Sequence, residues 1–72
     1  MLELDLTGLV CPMPVLKTQA FLKKRDVDQL KLICTDPQTE SDIPIFCQAK
    51  GIKLIKWFKE NEKYIFIISC KN

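Results

Sequence analysis

Alternation of apolar and polar residues begins at the amino end of the chain. Leu2, Leu4 and Leu6 alternate with Glu3 and Asp5, the period of a half-buried strand. A first strand is expected over Met1 to Leu6, ended by Thr7-Gly8. From Pro12 to about Lys24 the spacing becomes helical. Val15, Thr18 and Leu22 form one stripe, and Leu16 and Ala20 a second, so the amphipathic face is broad. The second stripe is read as core, with a docking surface as the alternative. Lys23, Lys24 and Arg25 fall in the last turn, opposite the negative end of the helix dipole. They cap and solvate the helix, or they dock an acidic partner or RNA.

Asp26-Val27-Asp28 makes a turn, and Gln29 to Asp36 a second strand with Leu30, Leu32 and Cys34 on one face. Asp36-Pro37 stops it. The region from Thr39 to Lys50 supplies a second helix, ended by Gly51 as a left-handed cap. Pro44 makes its start ambiguous. The favoured reading is a loose turn from Thr39 and a regular helix from Asp42, because an earlier start leaves the proline too deep. Ile43, Phe46 and Cys47 form its buried face. Two strands follow, Ile52 to Lys59 and Lys63 to Lys71, joined by Glu60-Asn61-Glu62. The run from Tyr64 to Cys70 is apolar enough for an inner strand. Trp57 and Phe58 are adjacent, so one of them points away from the helices. The order β-α-β-α-β-β predicts a parallel β-α-β unit, a four-stranded mixed sheet and two helices on one face, a two-layer α/β sandwich.

Seventy-two residues, 47% of them apolar, make one small domain with a compact core. A net charge of +2 neither demands nor excludes nucleic acid. No apolar run approaches the roughly 20 residues of a membrane span. Strand-like sequence starts at Leu2, so no leader is read ahead of the domain. Free thiols in a reducing cytoplasm are expected. The four cysteines, Cys11, Cys34, Cys47 and Cys70, contain no C-x-x-C pair, and there is no histidine. Zinc ribbons, dithiol redox motifs and Cys-His catalysis drop out. No cofactor is implied.

The chemistry points to Gly8-Leu9-Val10-Cys11-Pro12-Met13-Pro14. Pro12 and Pro14 lie where the first helical turn begins, which puts Cys11 at or beside the N-cap. Its sulfur is then expected to face the free N–H groups of Met13 and Val15 and the positive helix end. That would lower its pKa. Both strand-to-helix loops of a β-α-β unit emerge at one sheet edge. The second loop brings Asp36, Thr39 and Asp42, and carboxylates there would oppose the helix end by raising a nearby thiol. Asp5 is either a solvated strand carboxylate or a group shaping the Cys11 loop. Cys34 and Cys47 are read as core. A lone activated thiol on a small domain suits a carrier that takes sulfane sulfur from one protein and offers it to another.

Leu4-Asp5, Gly8-Leu9 and Cys11-Pro12-Met13-Pro14 resemble the strand-to-CPxP signature of the TusA/SirA-like sulfur-carrier proteins. Asp36-Pro37, Thr39, Asp42-Ile43-Pro44 and Phe46-Cys47 resemble that family's second motif. The likeness spans the chain. It implies the same sandwich and a persulfide on Cys11. It also implies protein partners such as cysteine desulfurases, rhodaneses and relay proteins. These feed tRNA thiolation, molybdenum-cofactor synthesis or sulfur oxidation. Other members are linked to selenium metabolism or sit beside thiosulfate-uptake membrane proteins. Val10 stands where TusA proper often has a basic residue, which changes the charge that helps choose partners. Two other readings compete. One is a regulatory or binding module with Cys11 as a structural N-cap. The other is a nucleic-acid-binding domain, against which stand the low net charge and the lack of a basic, aromatic-interleaved strand.

Overall fold

The computed structural model describes residues 2–70. Met1 and Lys71, which the expected first and last strands include, lie outside the described residues. The elements are β1 (Leu2–Leu6), α1 (Met13–Lys24), β2 (Gln29–Cys34), α2 (Thr39–Lys50), β3 (Lys53–Glu60) and β4 (Lys63–Ser69). The sheet order is β1-β2-β4-β3. β1 and β2 are parallel, with Leu4 beside Leu32 and Leu6 beside Cys34. β4 runs antiparallel to both its neighbours. It is the inner strand that its apolar run anticipates, and five of its residues, Tyr64 to Ile68, are buried.

One side of the sheet makes the core. Leu6, Leu30, Leu32, Cys34, Phe66 and Ile68 meet Ile43, Phe46 and Cys47 of α2. Val15, Phe21 and Leu22 of α1 pack against the same cluster. Both helices therefore cover one face, in two layers. On the other face, Ile33 and Phe58 flank Ile65 in register, and the Lys56 ammonium lies 5.7 Å from the Phe58 ring centre. Lys31 adds an ion pair to Glu3 at 3.7 Å. Lysine stems thus shield apolar surface while their charges stay in water.

Several expected boundaries move, each for a local reason. β2 stops at Cys34, not Asp36, because Thr35 and Asp36 leave the ladder and bond to the loops around them. α2 is helical from Thr39, not from Asp42, and runs through Pro44. A stack of turns satisfies its first amides. Asp36 C=O accepts from Thr39 N at 3.0 Å, Pro37 C=O from Glu40 N at 3.2 Å, and Gln38 C=O from Ser41 N and Asp42 N. Pro44 then withholds only the N–H that Glu40 C=O would accept, and Glu40 is exposed to water. β3 begins at Lys53 and keeps Glu60, which pairs with Lys63. The hairpin loop is only Asn61-Glu62, with φ of 50° and 63°, the mirror-image turn that matches strand twist. A register shift between Leu54 and Lys56 marks a bulge in β3 that the apolar spacing does not signal.

The second stripe of α1 is not core. Leu16 is 49% exposed and Ala20 is also exposed, because α1 turns only Pro14 and Thr18 fully inward. Phe58 is the aromatic that points away from the helices. Trp57 lies on the helix side, stacked on Phe66 at 5.8 Å, yet stays partly exposed because β3 is the sheet edge.

Candidate functional site

The loop from β1 to α1 is built backwards from its hydrogen bonds. Asp5 Oδ1 accepts from Thr7 N at 3.0 Å and turns the chain out of the strand. These bonds hold the Asp5 carboxyl below its ordinary range. Gly8 takes a φ of +81°, which favours glycine, and its N–H donates to Thr35 Oγ1 at 2.8 Å. Cys11 N–H donates to Asp36 Oδ2 at 2.6 Å. The other oxygen, Asp36 Oδ1, accepts from Gln38 N at 3.0 Å. One carboxylate therefore clamps the cysteine backbone to the start of α2. Bonding to Gln38 and Cys11 keeps Asp36 below the usual carboxylate range. Thr39 is buried, and its hydroxyl donates to Asp36 C=O at 2.6 Å.

Cys11 is exposed and stands one residue outside the N-cap of α1. The cap is Pro12, and no side chain bonds there. Pro14 is buried in the first turn, and its C=O accepts from Thr18 Oγ1 at 2.8 Å. The Cys11–Pro12 peptide is cis. Met13 N–H is not free for the sulfur, since it donates to Val10 C=O at 2.8 Å.

The expected fall in thiol pKa is reversed. The Cys11 thiol is raised, first by its hydrogen bond to the Asp42 carboxylate, then by desolvation, then by the negative charges of Asp42 and Asp36. The second β-α loop wins over the helix end because the Asp42 carboxylate accepts from the thiol and Asp36 adds a second negative charge, while Met13 N–H is already spent on Val10 C=O. Cys34 and Cys47 are buried, and burial pushes each thiol up to about 11. Cys70 is half-buried and raised for the same reason. Among the described residues, no cluster of three or more cysteine or carboxylate groups converges as metal ligands.

The fold thus joins the loops through Gly8 and Cys11 on one side and Thr35, Asp36 and Asp42 on the other, while Thr39 bonds within its own loop and Asp5 holds the turn that precedes Gly8. Thr35 was missed. It reads as one more strand residue, but its position directly before Asp36-Pro37 is the signal that it leaves the ladder.

An exposed CPxP cysteine at the joined β-α loops of a two-layer sandwich defines a class of thiol-bearing α/β proteins, and the comparisons narrow it. Residues 2–70 match the family model described as "Sulfurtransferase TusA", and the chain belongs to this family. It is 39% identical over 69 residues to the "Sulfur carrier protein TusA" of Pseudomonas putida (strain W619), covering 94% of this chain and 86% of that protein. It is 44% identical over 66 residues to a "Putative sulfur carrier protein" of Aquifex aeolicus (strain VF5), covering 90% of this chain but only 34% of that one. The crystal structure of a SirA-like protein from Desulfitobacterium hafniense superposes with a TM-score of 0.83. It covers 100% of both chains at 16% identity, a likeness of fold.

Proposed function

We propose that this chain acts as a sulfur-carrier domain that holds sulfane sulfur as a persulfide on Cys11 and relays it between proteins. The observation that carries the reading is the exposed thiol whose backbone is clamped by Asp36 at 2.6 Å. Such a sulfur is accessible and is carried on a backbone held in position. The names of the relatives, sulfur carriers, support it.

In the loading step, the Cys11 thiolate attacks the outer sulfur of a donor persulfide. A new S–S bond forms at Cys11, the donor S–S bond breaks, and the donor leaves as its thiolate. In unloading, an acceptor thiolate attacks the terminal sulfur of the Cys11 persulfide and Cys11 leaves as thiolate. Sulfur oxidation states balance across each exchange. Before loading, the thiol proton must depart, and the Asp42 carboxylate that accepts its hydrogen bond lies on that path. Asp42 and Asp36 hold the empty carrier in its thiol form, which slows stray oxidation. Val10 (66% exposed), Met13 and Leu16 surround this end of α1 with uncovered apolar surface, the kind that contacts proteins. Donor and acceptor proteins, a desulfurase or rhodanese on one side and a relay protein on the other, fit such a surface.

The structural N-cap reading finds no support in the capping geometry, since Pro12 occupies the cap and no side chain bonds there. The deciding experiment is intact-protein and peptide mass spectrometry after incubation with a cysteine desulfurase and cysteine, or with thiosulfate and a rhodanese. One added sulfur is expected on the Cys11 peptide, retained in Cys34→Ser and Cys47→Ser and lost in Cys11→Ser. Equal loading of Cys11→Ser overturns the proposal.

A further inference from the structure

The sheet has two edges, and they are treated differently. β3 carries a bulge between Leu54 and Lys56 and a row of lysines, Lys53, Lys56 and Lys59, features that discourage another strand. β1, the other edge, has neither a bulge, a proline nor a lysine. Alternate N–H and C=O groups along such an edge point outward, ready to pair.

A groove of about 550 Å³ runs between that edge and α1. Its apolar floor includes Leu4, Leu9 and Phe21, and its rim carries Lys17, Lys24 and Arg25. Lys17, Ala20, Phe21 and Lys24 follow the i, i+3, i+4, i+7 spacing of one helical stripe, and the small Ala20 at its middle leaves the seam open. Arg25 lies over the Phe21 ring at 5.6 Å. Among the described residues, none of the three cations has an acidic partner within ion-pair distance. Of the two acidic residues of β1, Asp5 is engaged by Thr7 N–H and Glu3 by Lys31 at 3.7 Å, and strand alternation puts both on the sheet face away from α1.

We propose that this seam is a docking site for an extended acidic segment of a partner protein, which adds to β1 as a fifth strand. Backbone pairing supplies affinity, and alternate side chains supply selectivity. The helical rise places Lys17 and Lys24 roughly 10 Å apart along α1. In an extended chain, side chains on one face recur about every 7 Å. Two acidic residues four positions apart, with an apolar residue midway between them, therefore reach both ends of the rim and the floor. This surface is separate from the thiol and does not depend on the sulfur-transfer reading. A segment running along β1 ends beside Leu9, two residues before Cys11, so it would tether its owner next to the sulfur and raise the effective concentration there.

The test is titration of the isotope-labelled full chain, followed by amide NMR, with a blocked Glu-Thr-Leu-Thr-Glu peptide. Shift changes are expected on residues 2–6 and 17–25. The Gln-Thr-Leu-Thr-Gln peptide, and the Lys17→Glu/Lys24→Glu variant with its amide dispersion intact, should bind about tenfold more weakly. Peptides N-methylated at one alternate set of amides should lose binding, and those methylated at the other set should keep it. Cys11→Ser should bind unchanged. Shifts centred on the lysines of β3, indifference to charge reversal, or equal tolerance of both N-methyl sets each overturn the proposal. So does tighter binding of a uridine oligonucleotide to the same residues, which makes the rim a nucleic-acid surface.

Discussion

At the scale of single residues, the balance around Cys11 is set by Asp42. Its hydrogen bond to the thiol is the largest influence raising that group, so Asp42→Asn removes a charge and weakens an acceptor together. The expected outcome is a lower midpoint in the pH profile of Cys11 alkylation and a several-fold faster rate at pH 7, measured by mass spectrometry of the Cys11 peptide. An unchanged profile would show that Asp42 does not govern the sulfur. Asp36 acts on the backbone instead. Its folded-state pKa lies below the ordinary 3.8. The clamp is therefore complete above that value and is lost as pH falls through the lower folded-state pKa. Amide exchange at Cys11 and Gln38 should speed up through that acid window, and Asp36→Ala should show the fast exchange already at neutral pH. The identity of the thiol and of both carboxylates is legible in the sequence, because the motifs place them on two loops of one β-α-β unit. The sign of the thiol shift is not. It turns on which group sits closer to the sulfur, and on Met13 N–H having already found Val10 C=O.

At the scale of elements, strands and helices are readable wherever one face is consistently apolar. β2 and the buried face of α2 follow that rule directly. The start of α2 escapes it, because a chain of turn bonds from Asp36 to Asp42 builds the first turn without a side-chain cap. No pattern of hydrophobic spacing encodes such bonds. The outer stripe of α1 escapes it for a different reason. Apolar spacing states that a face exists, while the neighbours decide whether it is covered. The β3–β4 hairpin carries a local conflict of its own. Glu62 holds φ of 63°, a conformation that costs an ordinary L-residue roughly 1 kcal/mol and glycine nearly nothing. Glu62→Gly gains that relief but adds freedom to the unfolded chain, which offsets part of it. A net gain of about 0.5 kcal/mol follows, raising Tm by roughly 2–4 °C in a domain of this size. Calorimetry of the variant checks it, and a lower Tm would mean that the Glu62 side chain contributes more than the strain it imposes.

Across the whole molecule, the fold leaves one sulfur exposed, one half-buried and two sealed in the core. Cys11 is exposed at the carboxyl end of β1, Cys34 and Cys47 are buried in the core, and Cys70 follows β4 at the opposite end of β2. Burial holds the Cys34 and Cys47 thiols neutral up to about pH 11, against an ordinary value of 9.0. In the unfolded chain those thiols ionise first. Between about pH 9 and pH 11 the folded state therefore binds more protons than the unfolded one, and stability falls as pH rises through that window. Below pH 9 their contribution is complete. Urea unfolding at pH 8 and pH 10.5 should show this loss, and Cys47→Ala should show a smaller difference between the two pH values even though it is less stable at both. The same burial predicts the labelling pattern. Brief treatment of the native chain with iodoacetamide at pH 8 should modify Cys11 first, the half-buried Cys70 more slowly, and Cys34 and Cys47 not at all, and all four cysteines should react in denaturant. If Cys34 or Cys47 labels as fast as Cys11 in the native state, the core opens on the timescale of the reaction, and a single dedicated sulfur no longer describes the protein.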